Sequence, residues 1–567
     1  MNADNITYII AFYILLTFLA WPLGKYMARV FTGKKTFITP IVRPIENFIY
    51  KICNIDEKRE MNWKEYAIAF TIFNTVMLTA LFLLQEIQAF LPLNPQGFPP
   101  VRWDTALNTA ISFMTNTNWQ AYAGENTMSY LTQMIGLTVH NFLSAAAGMA
   151  PLLAFIRGFI RSNTDKIGNF WVDVTRMTLY VLLPLCIIFA LFLISQGVIQ
   201  TFSPYITAKT FEGGKQIIAL GPVASQEAIK ILGTNGGGFF GTNSAHPFEN
   251  PNIYTNFAET LLFSLIPAAQ IFMFGYLIRN SRQGIAIYVA VMVIISMALA
   301  LALWSEYKLN PLLEKIGVTG ENLEGKEVRF GVTPSVLFGI QTTGIECGAV
   351  NHMHDSDMPL TGMMYMFLMG VSNIFGGCGV GLVLMLYYII LTMFIVGLMI
   401  GRTPEFLRKK LGIFEMKMAV IGIVGINVSM LTLAAIAATT PYGLSSLGNP
   451  SAHGLSEILY AYFSAHANNG SAFAGLNVNT LFYNITTGIG MLVARYLSLI
   501  PGIAIGSALA KKGKIPATAV SFPTTNPVFV IMLISVIIIV GALTFFPILT
   551  LGPGLEHLFL QEGKVFM

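Results

Sequence analysis

Charge is what this chain of 567 residues has least of: 11% of its residues are Asp, Glu, Lys or Arg, against 54% that are hydrophobic. A water-soluble protein carries roughly 25% charged residues, so most of this surface is solvated by lipid. Cysteine is scarcer still. Four are scattered (Cys53, Cys186, Cys347, Cys378) without a CxxC pair, which gives no support to a disulfide framework. The net charge of +5 is distributed, with no basic patch interleaved with aromatics, and this argues against nucleic acid as a partner. A GxxxxGK[ST] phosphate loop and an Asp-Lys-Thr-Gly phosphorylation motif are both absent. No nucleotide is therefore expected on this chain, and no enzymatic turnover of its own. The first apolar run has no basic residue before it and no small-residue cleavage site behind it. It is read as a membrane span rather than a signal peptide.

What is there is length in apolar runs. Runs able to cross a bilayer, at about 20 residues each, lie near 6–31, 65–91, 128–157, 171–198, 254–278, 285–305, 382–400, 416–438, 481–507 and 528–549. The seventh is preceded by a further apolar piece, Thr361 to Val371, and the stretch from Ser372 to Gly379 separates the two. That Gly-rich interruption predicts a broken helix, tolerated at membrane depth only where it lines a cavity or packs in protein. Alternate loops hold 23 of the 33 lysines and arginines, nine of them between residues 25 and 64, and the intervening loops hold eight. Basic loops face the cytoplasm, so both termini are expected outside.

Four short stretches between spans share a character. They are Asn116-Thr117-Asn118-Trp119-Gln120, Thr234-Asn235-Gly236-Gly237-Gly238-Phe239-Phe240, Glu346-Cys347-Gly348-Ala349-Val350 and Asn468-Asn469-Gly470-Ser471-Ala472. All four fall in loops on the expected outer side. Each follows an amphipathic stretch: Asp104 to Met114, Ser225 to Leu232, Pro334 to Thr343 and Ser456 to Ala465. Asp104, Ser225 and Ser456 are read as helix-start signals, and Pro334 suits a first helical turn. With Asn118, Gly236, Gly348 and Gly470 taken as equivalent, the spacings are 118, 112 and 122 residues. Near-constant spacing of a span–loop–span unit argues for internal duplication. The expected fold is all-α and polytopic. One helix and its cytoplasmic loop (1–64) precede four span–pore helix–filter–span repeats (65–165, 166–283, 284–412, 413–515), and a final span with an outer terminus (516–567) follows.

Glycine also lets membrane helices approach closely, so a single Gly-rich stretch means little. Four around one axis mean more. A dehydrated potassium ion needs a ring of oxygens, and four loops can supply backbone carbonyls from all sides. Asn and Thr oxygens can extend the ring without fixed charge. Only the second stretch has three glycines, and the first has Asn-Trp-Gln where glycine is expected. The ring should hold potassium at fewer well-formed positions than a symmetric channel filter, which suits capture rather than flow.

At these residues the chain closely resembles the potassium-transporting ATPase A-subunit family of the bacterial Kdp type. The resemblance rests on Ala106-Leu107-Asn108-Thr109-Ala110 leading to Thr115-Asn116-Thr117-Asn118-Trp119-Gln120, on Gly221 to Lys230 leading to Gly233 to Phe240, and on His246 to Pro251. It continues through Met353-His354-Asp355-Ser356, Gly401 to Glu405 and Asn468 to Gly475. It implies a potassium-channel-like fold in one polypeptide of the bacterial inner membrane. It further implies assembly with the catalytic subunit of a P-type ATPase and with two lesser partners, one a single-span accessory protein and the other a small membrane protein. Family members capture external potassium and pass it sideways, through an intramembrane tunnel, to the pump subunit. The expected K+ residues are Thr115, Asn116, Asn118, Gln120, Thr234, Asn235, Gly236, Cys347, Gly348, Asn468, Asn469 and Gly470, with potassium the only metal. A stand-alone potassium channel or symporter of the Trk and Ktr type is the alternative, and an assembly protein without its own path is a third reading.

Two positions depart from the family pattern: Glu346 beside the third stretch, and Ser372-Asn373-Ile374 where an acidic residue is expected. Arg495, well inside the ninth run, faces either a cavity or the headgroups. The resemblance places it below the filter as a block to straight leakage. Gln120 either braces the first filter or faces the ion. His352-Met353-His354-Asp355 has metal-like residue types, but a hydrogen-bonded pore mouth is the preferred reading.

Overall fold

Asparagine opens half of the long helices. Asn62, Asn169, Asn252, Asn280 and Asn526 accept backbone N–H groups at the starts of the spans that begin at Trp63, Phe170, Ile253, Ser281 and Pro527. Asn62 and Glu65 do so reciprocally, as do Asn252 and Thr255. Each such cap satisfies donors that lipid cannot, and is worth ~1 kcal/mol even in water.

The computed structural model describes residues 3–371, 376–516 and 522–564. Among them are ten helices long and apolar enough to span a membrane: Ala3–Phe31, Trp63–Phe90, Thr132–Ile160, Phe170–Ser195, Ile253–Leu277, Ser281–Lys315, Val380–Met399, Ile413–Thr439, Leu481–Lys511 and Pro527–Thr544. Each coincides with an apolar run in the sequence, and the fold is all-α and polytopic. The described strands make two small hairpins, Ile206–Lys209 with Lys215–Ile218 and Glu405–Phe406 with Lys409–Lys410. The break before the seventh span is real: one helix ends at Gly370 and the next starts at Val380. Ser372-Asn373-Ile374 lies outside the described residues.

Four short helices interrupt the span pairs: Trp103–Met114, Val223–Leu232, Val332–Ile345 and Ser451–His466. They start earlier than the sequence signals suggest. The residues before them are Arg102, Pro222, Gly331 and Pro450, and none makes a side-chain cap. Asp104 and Ser225 fall inside the first turn instead. Ser456 lies deeper, bonded to the Ala452 carbonyl and to Glu556. Pro222 and Pro450 explain the shift, because proline fixes the backbone at the entry and the chain coils directly behind it.

Burial sorts the spans into two shells. In the third, fifth, seventh and ninth spans, the second span of each pair, 67% to 83% of the apolar core is buried. In the second, fourth, sixth and eighth the share is 28% to 56%, and in the first it is 17%. The four inner spans surround the ends of the four short helices. Small residues let them approach: Gly158 of the third span lies against Gly506 of the ninth, where a Cβ would stand 2.7 Å from the neighbour's Cα. Besides helices of one or two turns, one described helix has no counterpart among the sequence expectations: Thr39–Ile52, between the first two spans.

Candidate functional site

All four short helices end in the same way. The N–H groups of Thr117, Asn235, Cys347 and Asn469 return to the carbonyls of Ser112, Lys230, Thr342 and Ser464, five residues back, at 3.0, 2.9, 3.1 and 2.9 Å. The residue before each donor is left-handed: Asn116 (φ +65°), Thr234 (+51°), Glu346 (+63°) and Asn468 (+49°). This is the Schellman ending, here made without glycine, and each non-glycine residue in that region costs roughly 1–2 kcal/mol. Two residues on stand Asn118, Gly236, Gly348 and Gly470, the positions aligned from sequence spacing. Asn118 (+55°), Gly348 (+79°) and Gly470 (+98°) are again left-handed, so asparagine does glycine's work in the first turn.

The four turns converge. A Cβ on Gly236 would stand 3.0 Å from the carbonyl oxygens of both Cys347 and Asn469. A Cβ on Gly348 would run into the Asn469 carbonyl, and one on Gly470 into that of Thr117. On Gly237 it would lie 2.9 Å from the Asn118 oxygen. Carbonyls of equivalent residues therefore crowd a common axis, and only backbone without side chains fits between them. The oxygen of the equivalent Asn235 accepts the Cys347 thiol at 3.1 Å.

The amide side chains brace this ring. Asn116 donates to the Thr234 carbonyl (3.1 Å), and Asn235 donates to the amide oxygens of Asn116 (2.7 Å) and Asn118 (3.0 Å). Asn118 donates to Asn141 of the third span. Asn468 reaches the Thr117 hydroxyl at 2.9 Å, whose other partner is the Thr115 hydroxyl at 2.8 Å. Asn469 reaches the Thr342 carbonyl at 2.8 Å. Gln120 holds Gly238 at both ends, accepting from its N–H at 2.9 Å and donating to its carbonyl at 3.2 Å. Residue type alone suggests that these amide oxygens extend the coordination. The structure engages those of Asn116, Asn118, Gln120 and Asn469 with neighbours, while that of Asn235 is buried without a partner.

At the break before the seventh span, three successive N–H groups are taken by side chains from three different elements. Gly377 donates to Glu346 at 3.1 Å, Cys378 to the Thr234 hydroxyl at 3.0 Å, and Gly379 to Gln270 of the fifth span at 2.8 Å. Glu346 thus ties the third turn to the broken helix, at the positive N-terminal end of Val380–Met399. Close by, Arg495 is buried and donates to the Ser144 carbonyl at 2.7 Å, while its Nε has no partner. A Cβ on Gly148 would meet both the Arg495 guanidinium, at 3.2 Å, and the Cys378 carbonyl. Arg495 therefore lies at the level of the break.

Two buried charge clusters have no counterpart among the sequence expectations. Behind the second turn, Lys230 lies between Glu227 (2.7 Å) and Glu249 (2.9 Å) and also reaches Asn243 and Ser244. Asn243 in turn donates to the Gly236 carbonyl at 2.5 Å. Beside the third turn, Lys326 pairs with Glu306 (2.8 Å) and Asp357 (2.7 Å). Burial would lower its ammonium, but the two carboxylates raise it above the ordinary range. The histidine cluster is dispersed among hydrogen bonds. His352 reaches Asp357 at 2.8 Å, His354 reaches Tyr460 at 2.8 Å, and Tyr460 continues through Ser471 to Asn469. Asp355 turns instead to His453 and the Gly475 N–H. The signal for the lysine clusters is present as charged residues inside otherwise apolar stretches, Glu227 and Lys230 above all.

The profile of the family described as "Potassium-transporting ATPase A subunit" matches residues 10–558. A protein of Mesorhizobium japonicum named potassium-transporting ATPase potassium-binding subunit is 50% identical over 567 residues, all of both chains. One of the same name from Methylorubrum extorquens is 51% identical over 546 residues, 96% of each chain. A third, from Solibacter usitatus, is 49% identical over the full length of both. Ten apolar helices, four matching turns and similarity over the whole length agree: the chain belongs to the potassium-transporting ATPase A-subunit family.

Proposed function

We propose that this chain is the potassium-binding, ion-translocating subunit of an ATP-driven import complex, and that the four converging turns are its selectivity filter. The observation that carries this reading is the ring of carbonyls from equivalent residues around Gly236, Gly348 and Gly470, whose side-chain positions are filled by neighbouring oxygens. Carbonyl oxygens on a common axis replace the hydration shell of a potassium ion. The residues named from sequence divide into two tasks. Asn235, Cys347 and Asn469 offer backbone oxygens, with Gly236, Gly348 and Gly470 giving them room, and Thr117, not among the residues named from sequence, supplies the equivalent oxygen of the first turn. Thr115, Asn116, Asn118, Gln120, Thr234 and Asn468 hold the turns in register.

Basic-residue counts support an orientation with the four turns on the outer face and both termini outside, and the family resemblance supports a bacterial inner membrane. Below the ring Arg495 opposes straight passage by charge, so the ion leaves sideways at the broken seventh helix towards the catalytic subunit of a P-type ATPase. A single-span accessory protein and a small membrane protein complete the complex. The repeats 65–165, 166–283, 284–412 and 413–515 are the units of duplication.

The test is ATP hydrolysis in the purified complex. Stimulation by potassium should require this chain together with the catalytic one, and Gly236→Ala should shift the potassium dependence. Potassium conductance through the chain alone in planar bilayers would favour a stand-alone channel or symporter instead.

A further inference from the structure

The helix Thr39–Ile52 is inside out. Its buried face carries Val42, Glu46 and Tyr50. Glu46 accepts from Arg176 (3.0 Å), Tyr180 (2.7 Å), Tyr50 (2.8 Å) and Arg43 (3.0 Å), a polar seam against the fourth span. Its outward face is apolar. Phe37, Ile41, Phe48 and Ile52 are 83%, 74%, 63% and 66% exposed, and Ile45 completes the stripe. The spacing from 41 through 45 and 48 to 52 is that of one face of a helix, and Phe37 stands in the turn just before it. A polar seam turned inward and an apolar stripe turned outward are the reverse of a helix bathed in water. They are the arrangement of a helix whose outer solvent is hydrocarbon.

Two further features say which solvent. First, exposed cations border the stripe: Lys34 and Lys35 before the helix and Lys51 in its last turn. Among the described residues, no carboxylate lies within 4.0 Å of any of the three. Second, a cavity of about 600 Å³ opens behind the helix end. Apolar residues of four helices line it, Ile49, Phe73, Leu143, Val174 and Leu179 among them, and Asp56 and Arg59 add one charge of each sign to the lining. The helix follows directly on the first span, so the stripe, the lysines and the cavity mouth lie where that span leaves the bilayer. Apolar anchors, unpaired cations at headgroup level and a slot for hydrocarbon together match a phospholipid with an anionic headgroup.

We propose that Thr39–Ile52 is an in-plane anchor that binds anionic phospholipids, with headgroups against Lys34 and Lys35 at one end and Lys51 at the other, and an acyl chain in the adjoining cavity. The inference does not depend on the filter reading, and the readout below needs no transport activity. The complex carrying Cys53→Ser and Phe48→Cys, labelled with bimane at the new cysteine, is placed in phosphatidylcholine vesicles. Part of the lipid is then replaced by brominated phosphatidylcholine or brominated phosphatidylglycerol. The proposal expects quenching by both and at least twofold more by phosphatidylglycerol, with the excess lost in Lys34→Gln/Lys35→Gln/Lys51→Gln. Absence of quenching by either lipid would mean that protein covers the face, and would overturn the proposal. Equal quenching by the two would overturn the anionic preference. A label-free check uses the unlabelled complex purified from mixed vesicles. Its co-purified lipid should be richer in phosphatidylglycerol than the vesicles, and a retained ratio equal to that of the vesicles contradicts the assignment.

Discussion

The second and third turns reach the same backbone path with opposite chemistry. The second has three glycines, threonine at its left-handed position, and a buried lysine behind it held by two glutamates. The third has one glycine and puts a glutamate at the left-handed position, with its carboxylate extended to Gly377 at the break. Helix-end geometry fixes the backbone in both, so the side chain at the turn is free to take a separate task. Both side chains reach the broken helix, Thr234 with a neutral hydroxyl for the Cys378 N–H and Glu346 with a carboxyl for the Gly377 N–H. The second turn has in addition the buried Lys230, which through Asn243 holds the Gly236 carbonyl.

The largest effect should come from removing the support of the second turn. Lys230→Met leaves Glu227 and Glu249 buried without a counter-charge, and breaking such a pair costs about 3–5 kcal/mol. A large fall in the thermal midpoint of the detergent-solubilised complex is expected. Gly348→Ala attacks the third turn at its axis, where φ is +79° and a Cβ would strike the Asn469 carbonyl. The half-saturating potassium concentration for ATP hydrolysis should rise about a hundredfold, or ~3 kcal/mol. Glu346→Gln is gentler. It retains an acceptor for Gly377 and exchanges the buried carboxyl for an amide of the same shape, a change worth about 1 kcal/mol. Potassium affinity should change less than fivefold, while ATP hydrolysed per potassium moved rises. A large affinity loss without uncoupling would place Glu346 at the ion instead.

The last effect lies away from the ring, at the start of the fourth short helix, and is read on stability and not on the ion. His453 bonds Asp355 (3.0 Å) and Glu556 (2.7 Å). Burial would lower its imidazole, but the two carboxylates raise it from near 6.5 to about 10. With the folded value above the unfolded one, the contribution is full below about pH 6.5 and is lost as pH rises through about 10. Thermal midpoints should therefore fall more steeply from pH 7 to 10 in the parent than in His453→Gln, and parallel profiles would rule the clamp out.

The spans are legible in sequence because apolar length is a property of contiguous residues, and the four turns are legible because they recur at near-constant spacing. The alignment of Asn118 with Gly236, Gly348 and Gly470 holds in the backbone although Asn118 is not glycine. Less of the site can be read. The left-handed residues are two asparagines (Asn116, Asn468), a threonine and a glutamate, so no single residue type marks the position, since the helix ending selects the conformation. Sequence leaves Asn116, Asn235 and Gln120 ion-facing or ambiguous because an amide's partners lie on other repeats. Lys326 finds Asp357 across 31 positions of sequence, a pairing that no local pattern announces. The helix Thr39–Ile52 hides in a segment that stands out for its charge, although its stripe has plain helical spacing.

The central claim is that the four turns form one potassium site. Density for rubidium, a potassium substitute with strong scattering, in the assembled complex tests it most directly. The account predicts a peak on the axis bounded by the carbonyls of Thr117, Asn235, Cys347 and Asn469. A ring without rubidium, with the ion held elsewhere such as among Asp355, His453 and Glu457, would contradict it.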